Sequence, residues 1–278
     1  MGINSSIKRF QIPQIMAVLN LTEDSFSDGG YFLDPAAAIE HATTMIQAGA
    51  QIIDIGAEST RPGAHELSAE LEWQRIQPVL TELKAQNPKI LISIDTQKAE
   101  VAEKAIALGA DIINDISALQ YDPAMAKVIA THPRIRVILM HMQGRPQSMQ
   151  INPQYEDVLA EVLSFLQQRS EYASSQGIAK EQIILDPGIG FGKTLQHNLT
   201  LLAELDALSA LGYPVLLGAS RKSFIDTISA SPANQRLGGS LATTMLACLN
   251  RADIIRVHDV QVHRQFLDVF SAILAAGV

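Results

Sequence analysis

The 278-residue chain has one cysteine, one tryptophan and only strand-length apolar runs. A single cysteine excludes an internal disulfide and any cysteine-rich metal site. Cys248 lies in the apolar helical pattern GGSLATTMLACLN, so we expect it to pack in the core. The N-terminal stretch MGINSSIKRFQIPQ has neither an apolar core nor a small-residue cleavage site. We therefore expect a cytoplasmic protein that neither is secreted nor spans a membrane.

Basic residues are also in short supply. Lys and Arg number 21 against 29 Asp and Glu, which gives a formal net charge of -8 at pH 7. A chain with this balance lacks the general positive surface that attracts nucleic acid or anionic lipid. We expect neither as a partner, and we expect any anionic ligand to be bound by a few locally placed cations.

Eight short apolar runs are present, and helical patterns separate them. Continuous rather than alternating apolar residues indicate strands that are covered on both faces. Eight strand and helix units in about 250 residues predict a single-domain (β/α)8 TIM barrel spanning residues 1–278. The rival fold, a doubly wound open sheet, is disfavoured because no Gly-rich dinucleotide fingerprint follows the first strand. The runs are IPQIMAVLN, QIIDIGAE, KILISIDT, DIINDI, IRVILMHM, QIILDPG, YPVLLGAS and ADIIRVHD.

Every predicted strand ends in polar or charged residues. In a barrel of this kind the strand ends meet at one face, which carries the active site. Any single end residue has an ordinary structural explanation, such as capping a helix. The agreement of all eight ends predicts one polar-lined pocket at the barrel mouth. The end residues are Asn20, Asp54 with Glu58, Asp95, Asn114 with Asp115, His141, Asp186, Ser220 with Arg221 and Lys222, and Arg256 with His258.

Four of these residues, Asp95, Asn114, Asp186 and Lys222, come from the third, fourth, sixth and seventh strands. Carboxylates accept hydrogen bonds and amides both accept and donate them. The group therefore suits a small planar ring with adjacent N–H groups, such as an aminopyrimidinone. The alternative is that Asp95 and Asp186 cap the next helix or stabilise a turn.

Arg256 and His258 lie two residues apart in the last strand and so point to the same side. An arginine and a histidine here can bind an anion, because the loop after the eighth strand is a frequent phosphate position in barrels. The alternative is a structural arginine that is ion-paired with Asp253 or Asp259.

Three loops place an aromatic residue or a proline among Gly and Ser: DSFSDGGYF, ESTRPGA and DPGIGFGKT. Such loops are typical of lids over a pocket, and equally of surface loops whose aromatic residue anchors them. Composition leaves both interpretations open. GFGK is not a Walker loop, because the spacing to Lys193 is wrong.

No cluster of His, Asp and Glu has the spacing of a transition-metal site. We expect the remaining histidines to lie at the surface. Asn20 and the strand-end acids suit Mg²⁺, an ion that keeps most of its waters and binds substrate phosphates. The histidines expected at the surface are His41, His65, His132, His197 and His263.

Taken together, these segments resemble the dihydropteroate synthase family over nearly the whole chain. The resemblance implies a (β/α)8 barrel that joins 6-hydroxymethyl-7,8-dihydropterin diphosphate to p-aminobenzoate and releases diphosphate and 7,8-dihydropteroate. It also implies Mg²⁺ and a homodimer. Glu23, Ala57 and Ile189 depart from the common family pattern. The matching motifs are VLNLTEDSFSDGG, DIGAESTRPGA, ISIDTQKAEVAEKAIALGADIINDI, LMHMQG, LDPGIGFGKT, LGASRKSFI and RVHDV.

Carried over position by position, the resemblance implies four overlapping sets of residues. The implied protein ligand of the Mg²⁺ that accompanies the diphosphate is Asn20. The implied diphosphate residues are Asn20, Thr60, Arg61, Arg256 and His258. The implied pterin residues are Asp54, Asp95, Asn114, Met140, Asp186 and Lys222. The implied p-aminobenzoate residues are Phe26, Thr60, Pro62, Phe191, Lys222 and Ser223. The implied catalytic residues are Asp95, Lys222, Arg256 and His258.

Two other functions share this barrel pattern. A methyltetrahydrofolate-binding methyltransferase domain is disfavoured by the intact ESTRPG and SRK motifs. A pterin carrier without catalysis would have lost its anion-binding residues or its lids. It is disfavoured because Arg61, Lys222, Arg256 and His258 are all present.

Overall fold

The computed structural model describes residues 10–22, 34–58, 66–146 and 148–276. Within these ranges eight parallel strands alternate with helices. The strands are β1 (Gln14–Asn20), β2 (Ile52–Gly56), β3 (Leu91–Asp95), β4 (Ile112–Asp115), β5 (Arg136–Met140), β6 (Ile183–Asp186), β7 (Leu216–Leu217) and β8 (Ile254–Val257). The helices are α1 (Pro35–Gln47), α2 (Ala69–Gln86), α3 (Ala99–Ala107), α4 (Met125–Ala130), α5 (Val158–Ser175), α6 (Leu195–Ala203), α7 (Asp206–Ser209), α8 (Ser223–Ile228), α9 (Leu237–Leu249) and α10 (Val260–Ala276).

The strands form one sheet in the order β6, β5, β4, β3, β2, β1, β8, β7. Its two edges meet, because a parallel bridge joins Leu185 of β6 to Val215, directly before β7. The Leu185 N–H also donates to the Pro214 carbonyl oxygen at 2.9 Å. The sheet is therefore a barrel, and the predicted (β/α)8 fold is confirmed. Each strand lies inside one of the eight apolar runs.

The strands bury side chains on both faces, as continuous apolar sequences require. One face of each strand packs under the helices, as Ile53 and Ile55 of β2 do. The other face supplies a layer inside the barrel, with one residue from every strand. Removing this apolar surface from water contributes about 1.5–3 kcal/mol for each fully buried large side chain. The interior layer consists of Met16, Ile52, Leu91, Ile112, Ile138, Ile184, Leu216 and Ile254.

This interior layer determines where the polar strand ends point. Side chains on the same face of a strand recur every second residue. In β2, β4, β6 and β8, the residue two positions after the layer residue therefore also points to the inside of the barrel. Those four residues are Asp54, Asn114, Asp186 and Arg256. The floor of the barrel is apolar, and its carboxyl-terminal mouth is polar.

Local capping fixes where several helices begin. Ser68 accepts a hydrogen bond from the Leu71 N–H at the start of α2. Asp157 accepts from two backbone N–H groups at the start of α5. Each cap satisfies amides that have no partner within the helix, and a cap of this kind is worth about 1 kcal/mol. None of the helices in the described ranges is long and apolar enough to cross a membrane.

The structure shows whether Cys248 is buried and whether His263 is exposed, as the sequence predicts. Cys248 is fully buried, as predicted. The expectation that His263 lies at the surface is wrong, because it is 0% exposed. His263 lies on α10 and contacts α9, because its Nδ1 is 2.9 Å from the hydroxyl oxygen of Thr244 on that helix. Its Nε2 is buried without a hydrogen-bond partner among the described residues. Burial lowers the pKa of His263 to about 4.

This buried histidine predicts a pH-dependent loss of stability. In the unfolded chain His263 gains a proton below its usual pKa of 6.5, whereas in the folded chain it stays neutral down to about 4. Unfolding then becomes more favourable as pH falls through this window. We expect urea titrations to give the unfolding free energy of the wild type minus that of His263→Gln. As pH falls from about 6.5 to about 4, this difference should decrease by about 1.4 kcal/mol per pH unit, and above about pH 6.5 it should not change with pH. The same exchange at half-buried His132 is the control, and a pH-independent difference for His263→Gln would contradict the assignment.

Candidate active site

Arg256 joins the polar side chains of three strands at the barrel mouth. Its Nε donates to Asp54 Oδ2 at 2.6 Å, and its Nη2 donates to Asp95 Oδ2 at 3.1 Å. Asp54 Oδ2 also accepts from the Asn114 side-chain amide at 3.2 Å. Residues up to 202 positions apart in the sequence thus form one hydrogen-bonded network.

Burial controls the charges of this network. Asp54 is 0% exposed, and Arg256 binds both Asp54 and Asp95. Burial, followed by the negative charge of Asp54, raises the pKa of Asp95 to about 7, although Arg256 partly offsets the rise. For Arg256, burial lowers the pKa, but Asp54 and Asp95 together raise it above its ordinary value. Arg256 is a permanent cation here, and Asp95 ionises near neutral pH.

Asp186 ends β6, and Lys222 lies directly before α8 in the segment after β7. Asp186 Oδ1 accepts from the Gly188 N–H at 2.7 Å. A side chain at Gly218 would lie 3.8 Å from Asp186 Oδ2 and 3.9 Å from Arg256 Cβ, so the glycine separates these two groups. Lys222 Nζ lies 4.1 Å from the centre of the Phe191 ring. Burial, together with the positive charge of Arg256, lowers the pKa of Lys222 to about 8, while Asp186 and Asp95 oppose the change.

His258 directly follows β8, and its hydrogen-bond partner Ser220 lies in the segment after the neighbouring strand β7. Its backbone N–H donates to Ser220 Oγ at 3.3 Å, and its Nδ1 lies 3.2 Å from the same oxygen. Burial and the positive charges of Arg256, Arg221 and Lys222 lower the pKa of His258 to about 3. The imidazole is therefore neutral at pH 7 and offers a hydrogen bond rather than a charge. A bound anion would raise this pKa.

Two buried oxygens in this region have no hydrogen-bond partner among the described residues: Asp54 Oδ1 and Ser93 Oγ. They lie on paired positions of β2 and β3. Buried polar atoms are nearly always hydrogen-bonded, so both atoms suit a water or ligand N–H group. Asn20, which ends β1, is paired with Gly56, and Gly56 is paired with Asp95. The mouth thus combines hydrogen-bond acceptors with the cations Arg256 and Lys222.

Comparison with known proteins agrees with this arrangement. The family described as pterin binding enzyme matches residues 16–258. Dihydropteroate synthase of Escherichia coli K12 is 47% identical over 264 residues, which cover 95% of this chain and 93% of that protein. The chain belongs to the dihydropteroate synthase family. A Yersinia pestis dihydropteroate synthase solved with a sulfonamide drug has a TM-score of 0.89 and 44% identity, covering 95% of this chain and 94% of the other. The Xanthomonas albilineans enzyme in complex with 7,8-dihydropteroate has a TM-score of 0.85 and 39% identity, at 95% and 94% coverage.

Most of the site residues that the family resemblance implied lie around the mouth. Four others, Phe26, Thr60, Arg61 and Pro62, are outside the described residues, as is the departure Glu23. Met140 and Ala57 are buried, as is Ile189, and Ser223 is exposed at the start of α8 beside Lys222. The residues that lie in the carboxyl-terminal parts of the strands or in the segments directly after them are Asn20, Asp54, Asp95, Asn114, Met140, Asp186, Phe191, Lys222, Ser223, Arg256 and His258.

Three other strand-end residues have structural partners instead. Asp115 accepts from the Ser117 and Leu119 backbone N–H groups and so stabilises a turn. Glu58 accepts from Lys98 Nζ at 2.5 Å. His141 Nδ1 lies 2.9 Å from Lys193 Nζ. A polar strand end therefore does not by itself indicate a ligand contact.

The partners of Arg256 differ from those that sequence proximity offered. Asp259 instead pairs with Arg221, and Asp253 accepts from the Val215 N–H at 2.8 Å and from Gln11. The sequence around Arg256 does not identify Asp54 and Asp95 as its partners, because they lie on other strands.

The burial of Lys193, which is only 3% exposed, was also not predicted from the sequence. Its one signal is its position in a glycine-rich loop directly after a strand.

Removing the Asp54 carboxylate should be strongly destabilising. Asp54→Ala leaves Arg256 with one carboxylate partner and Asn114 without its acceptor, and breaking a buried ion pair costs about 3–5 kcal/mol. The control is Asp268→Ala, which removes an exposed pair between Asp268 and Arg264 on one helix and should cost less than about 1 kcal/mol. Urea unfolding of the two variants measures both values. Equal losses would contradict the importance of the buried network.

Proposed function

We propose that this chain joins 6-hydroxymethyl-7,8-dihydropterin diphosphate to p-aminobenzoate, forming 7,8-dihydropteroate and releasing diphosphate. The observation that carries the proposal is the convergence of Asp95, Asn114 and Asp186 with the cations Arg256 and Lys222 in one barrel mouth. The carboxylates and the amide suit a heterocycle with several N–H groups, and the two cations suit an anion.

The pterin ring binds against Asn114 and Asp186, with Asp54, Met140 and Lys222 lining the same pocket. Burial raises the pKa of Asp186, while the Gly188 N–H, Lys222 and Arg256 oppose the rise and favour its ionised form. A ring N–H that donates to this carboxylate makes a charge-assisted hydrogen bond. The buried Oδ1 of Asp54, which has no hydrogen-bond partner among the described residues, supplies a further acceptor.

The diphosphate departs toward Arg256 and His258, with Asn20, Thr60 and Arg61 assigned to the same group by the family resemblance. Breaking the C–O bond leaves both bonding electrons on the diphosphate and a positive charge on the pterin methylene. Arg256 stabilises the leaving anion, and the neutral His258 donates a hydrogen bond to it. Asp95 balances the methylene charge, and that charge favours the ionised form of a carboxylate whose pKa is raised to about 7.

Mg²⁺ belongs to this proposal as a second counter-charge. Asn20 supplies an amide oxygen at the end of β1, a donor that suits a hard cation. Among the described residues there is no cluster of three or more His, Cys, Asp and Glu residues that would form a metal cage. This donor set fits an ion that takes most of its ligands from water and substrate. When bound with the diphosphate, Mg²⁺ would neutralise part of the leaving-group charge.

The arylamine approaches from the side of Phe191, Lys222 and Ser223. Phe26, Thr60 and Pro62 are assigned to the same substrate by the resemblance. The amine nitrogen is neutral at pH 7, attacks the methylene carbon and then loses a proton. Since no covalent enzyme intermediate is needed, these residues act by positioning the substrates and by stabilising charge.

A homodimer and a cytoplasmic location complete the proposal. Light scattering coupled to size exclusion tests the first, with an expected mass about twice the chain mass of 30.1 kDa. A mass equal to one chain would contradict the dimer.

Diphosphate release tests the proposed reaction. Purified protein, pterin diphosphate, p-aminobenzoate and Mg²⁺ should give diphosphate and dihydropteroate in equal amounts, measured by a coupled phosphate assay and by chromatography. Omission of the arylamine or of the metal should abolish dihydropteroate formation. Pterin binding without dihydropteroate formation in the complete mixture would favour the non-catalytic carrier instead.

Asp186→Ala tests the pterin pocket separately from turnover. Loss of a hydrogen bond to a charged group costs about 1.5–3 kcal/mol, so pterin affinity should fall about 10- to 100-fold. Calorimetric or fluorescence titration with the pterin diphosphate measures it, and the exposed Asp268→Ala serves as the matched control. A folded Asp186→Ala protein with wild-type affinity would refute the role of Asp186.

A further inference from the structure

Lys193 is a buried lysine whose ammonium group lies among backbone carbonyls. Its Nζ donates to the Gly188 and Phe191 carbonyl oxygens, each at 3.0 Å, and to the His141 carbonyl oxygen at 3.3 Å. The His141 Nδ1 lies 2.9 Å away. These groups belong to the segment after β5 and to the loop of residues 187–193 after β6. One side chain thus ties two loops of the barrel mouth together.

The ammonium group has no carboxylate within 4.0 Å among the described residues. A buried cation without a charged partner is costly unless its hydrogen bonds are satisfied. Burial, together with the positive charge of Lys222, lowers the pKa of Lys193 to about 7, while the negative charge of Asp186 opposes the change. Hydrogen bonds from the ammonium group to the carbonyl oxygens also favour the charged form. A neutral side chain would avoid this cost at the same position. The presence of a lysine at this buried position is therefore explained by the three carbonyl oxygens that accept hydrogen bonds from it.

The loop needs such a donor because of its backbone path. Gly188 and Gly192 have φ of 65° and 62°. Added Cβ atoms would lie 1.9 Å from the His141 carbonyl oxygen and 2.3 Å from the Gln143 carbonyl oxygen. The loop is thus packed against the preceding segment with its carbonyl groups turned inward. Tyr155 supports the same packing, since its hydroxyl donates to the Gly192 carbonyl oxygen at 2.8 Å.

The fixed loop carries a wall of the candidate active site. The carbonyl of Phe191 is held by Lys193, and the Phe191 ring lies 4.1 Å from Lys222 Nζ. A side chain at Gly190 would approach Lys222 Cδ to 3.3 Å, so this part of the loop also contacts the lysine. Displacement of residues 187–193 would therefore move the surface on which Lys222 rests.

We propose that Lys193, supported by Tyr155, is a positioning residue that holds Phe191 and Lys222 in place for the arylamine. The proposal rests on the proposed function, because it assigns this wall to the second substrate. Lys193 itself is assigned no substrate contact, because its ammonium group donates to the carbonyl oxygens of Gly188, Phe191 and His141.

The test compares Lys193→Met with Lys127→Met. The first exchange keeps the length and apolar stem of the side chain but removes the ammonium group, and the second makes the same change at an exposed position on α4. For Lys193→Met, the KM for p-aminobenzoate should rise at least about tenfold, while the dissociation constant of the pterin diphosphate changes less than about threefold. Most of the assigned pterin residues, such as Asp54, Asn114 and Asp186, lie on strands, whereas Phe191 of the arylamine wall lies on this loop and Lys222 serves both substrates. Lys127→Met should change neither value. Equal losses for both substrates, or no change, would overturn the proposal.

Hydrogen exchange of the amides in residues 187–193 provides a readout that needs no substrate. Exchange there should accelerate at least about tenfold in Lys193→Met and stay unchanged in β1 to β4. Unchanged exchange in the loop would overturn the proposal even if activity fell. A wild-type protein that makes no dihydropteroate would contradict the proposed function alone, and the exchange comparison would still decide whether Lys193 orders the loop.

Tyr155→Phe is the second variant, for use if Lys193→Met does not fold. It removes only the hydroxyl that donates to the Gly192 carbonyl oxygen. We expect a smaller effect in the same direction, with about a threefold rise in the KM for p-aminobenzoate, faster exchange in residues 187–193 and unchanged pterin affinity. Wild-type KM and wild-type exchange in this variant would overturn the proposal.

Discussion

The hydrogen-bonded ion pairs of Arg256 with Asp54 and Asp95 are the interaction on which the site depends. Two carboxylates side by side inside a barrel would repel each other and would lack water to solvate them. The guanidinium group makes the arrangement tolerable because its charge and its N–H groups reach both. The same contact ties β8 to β2 and β3. Charge balance at the mouth and the relative positions of three strands therefore have one cause.

The second constraint is the alternation of side chains along each strand. The apolar interior layer and the polar mouth differ by a single repeat of two residues, so Ile254 leads to Arg256 and Ile184 leads to Asp186. A shift of one residue in any strand would turn its polar side chain toward the helices. The core thus fixes the orientation of the functional groups, although it takes no part in ligand binding.

Much of this was predictable from the sequence. The eight apolar runs identify the strands, and the polar residues that end them include Asn114, Asp186, Lys222 and Arg256. The ion pairs of Arg256 were not predictable, because partners on other strands are 161 and 202 positions away. The surface expectation for His263 was wrong for a different reason, since polar residues are usually exposed and only tertiary packing shows otherwise; the burial of Lys193 was not predicted either way. The roles of Phe26, Thr60, Arg61 and Pro62 rest on family resemblance alone and stay predictions.

A crystal structure of the protein with bound 7,8-dihydropteroate is the most direct measurement, because it places both substrate halves in one experiment. The pterin ring should lie within hydrogen-bonding distance of Asn114 and Asp186, with the aminobenzoate half extending past Lys222 toward Phe191. A pterin ring bound outside the barrel mouth, or one that makes no hydrogen bond to either side chain, would contradict the convergence of these strand ends on a single ligand.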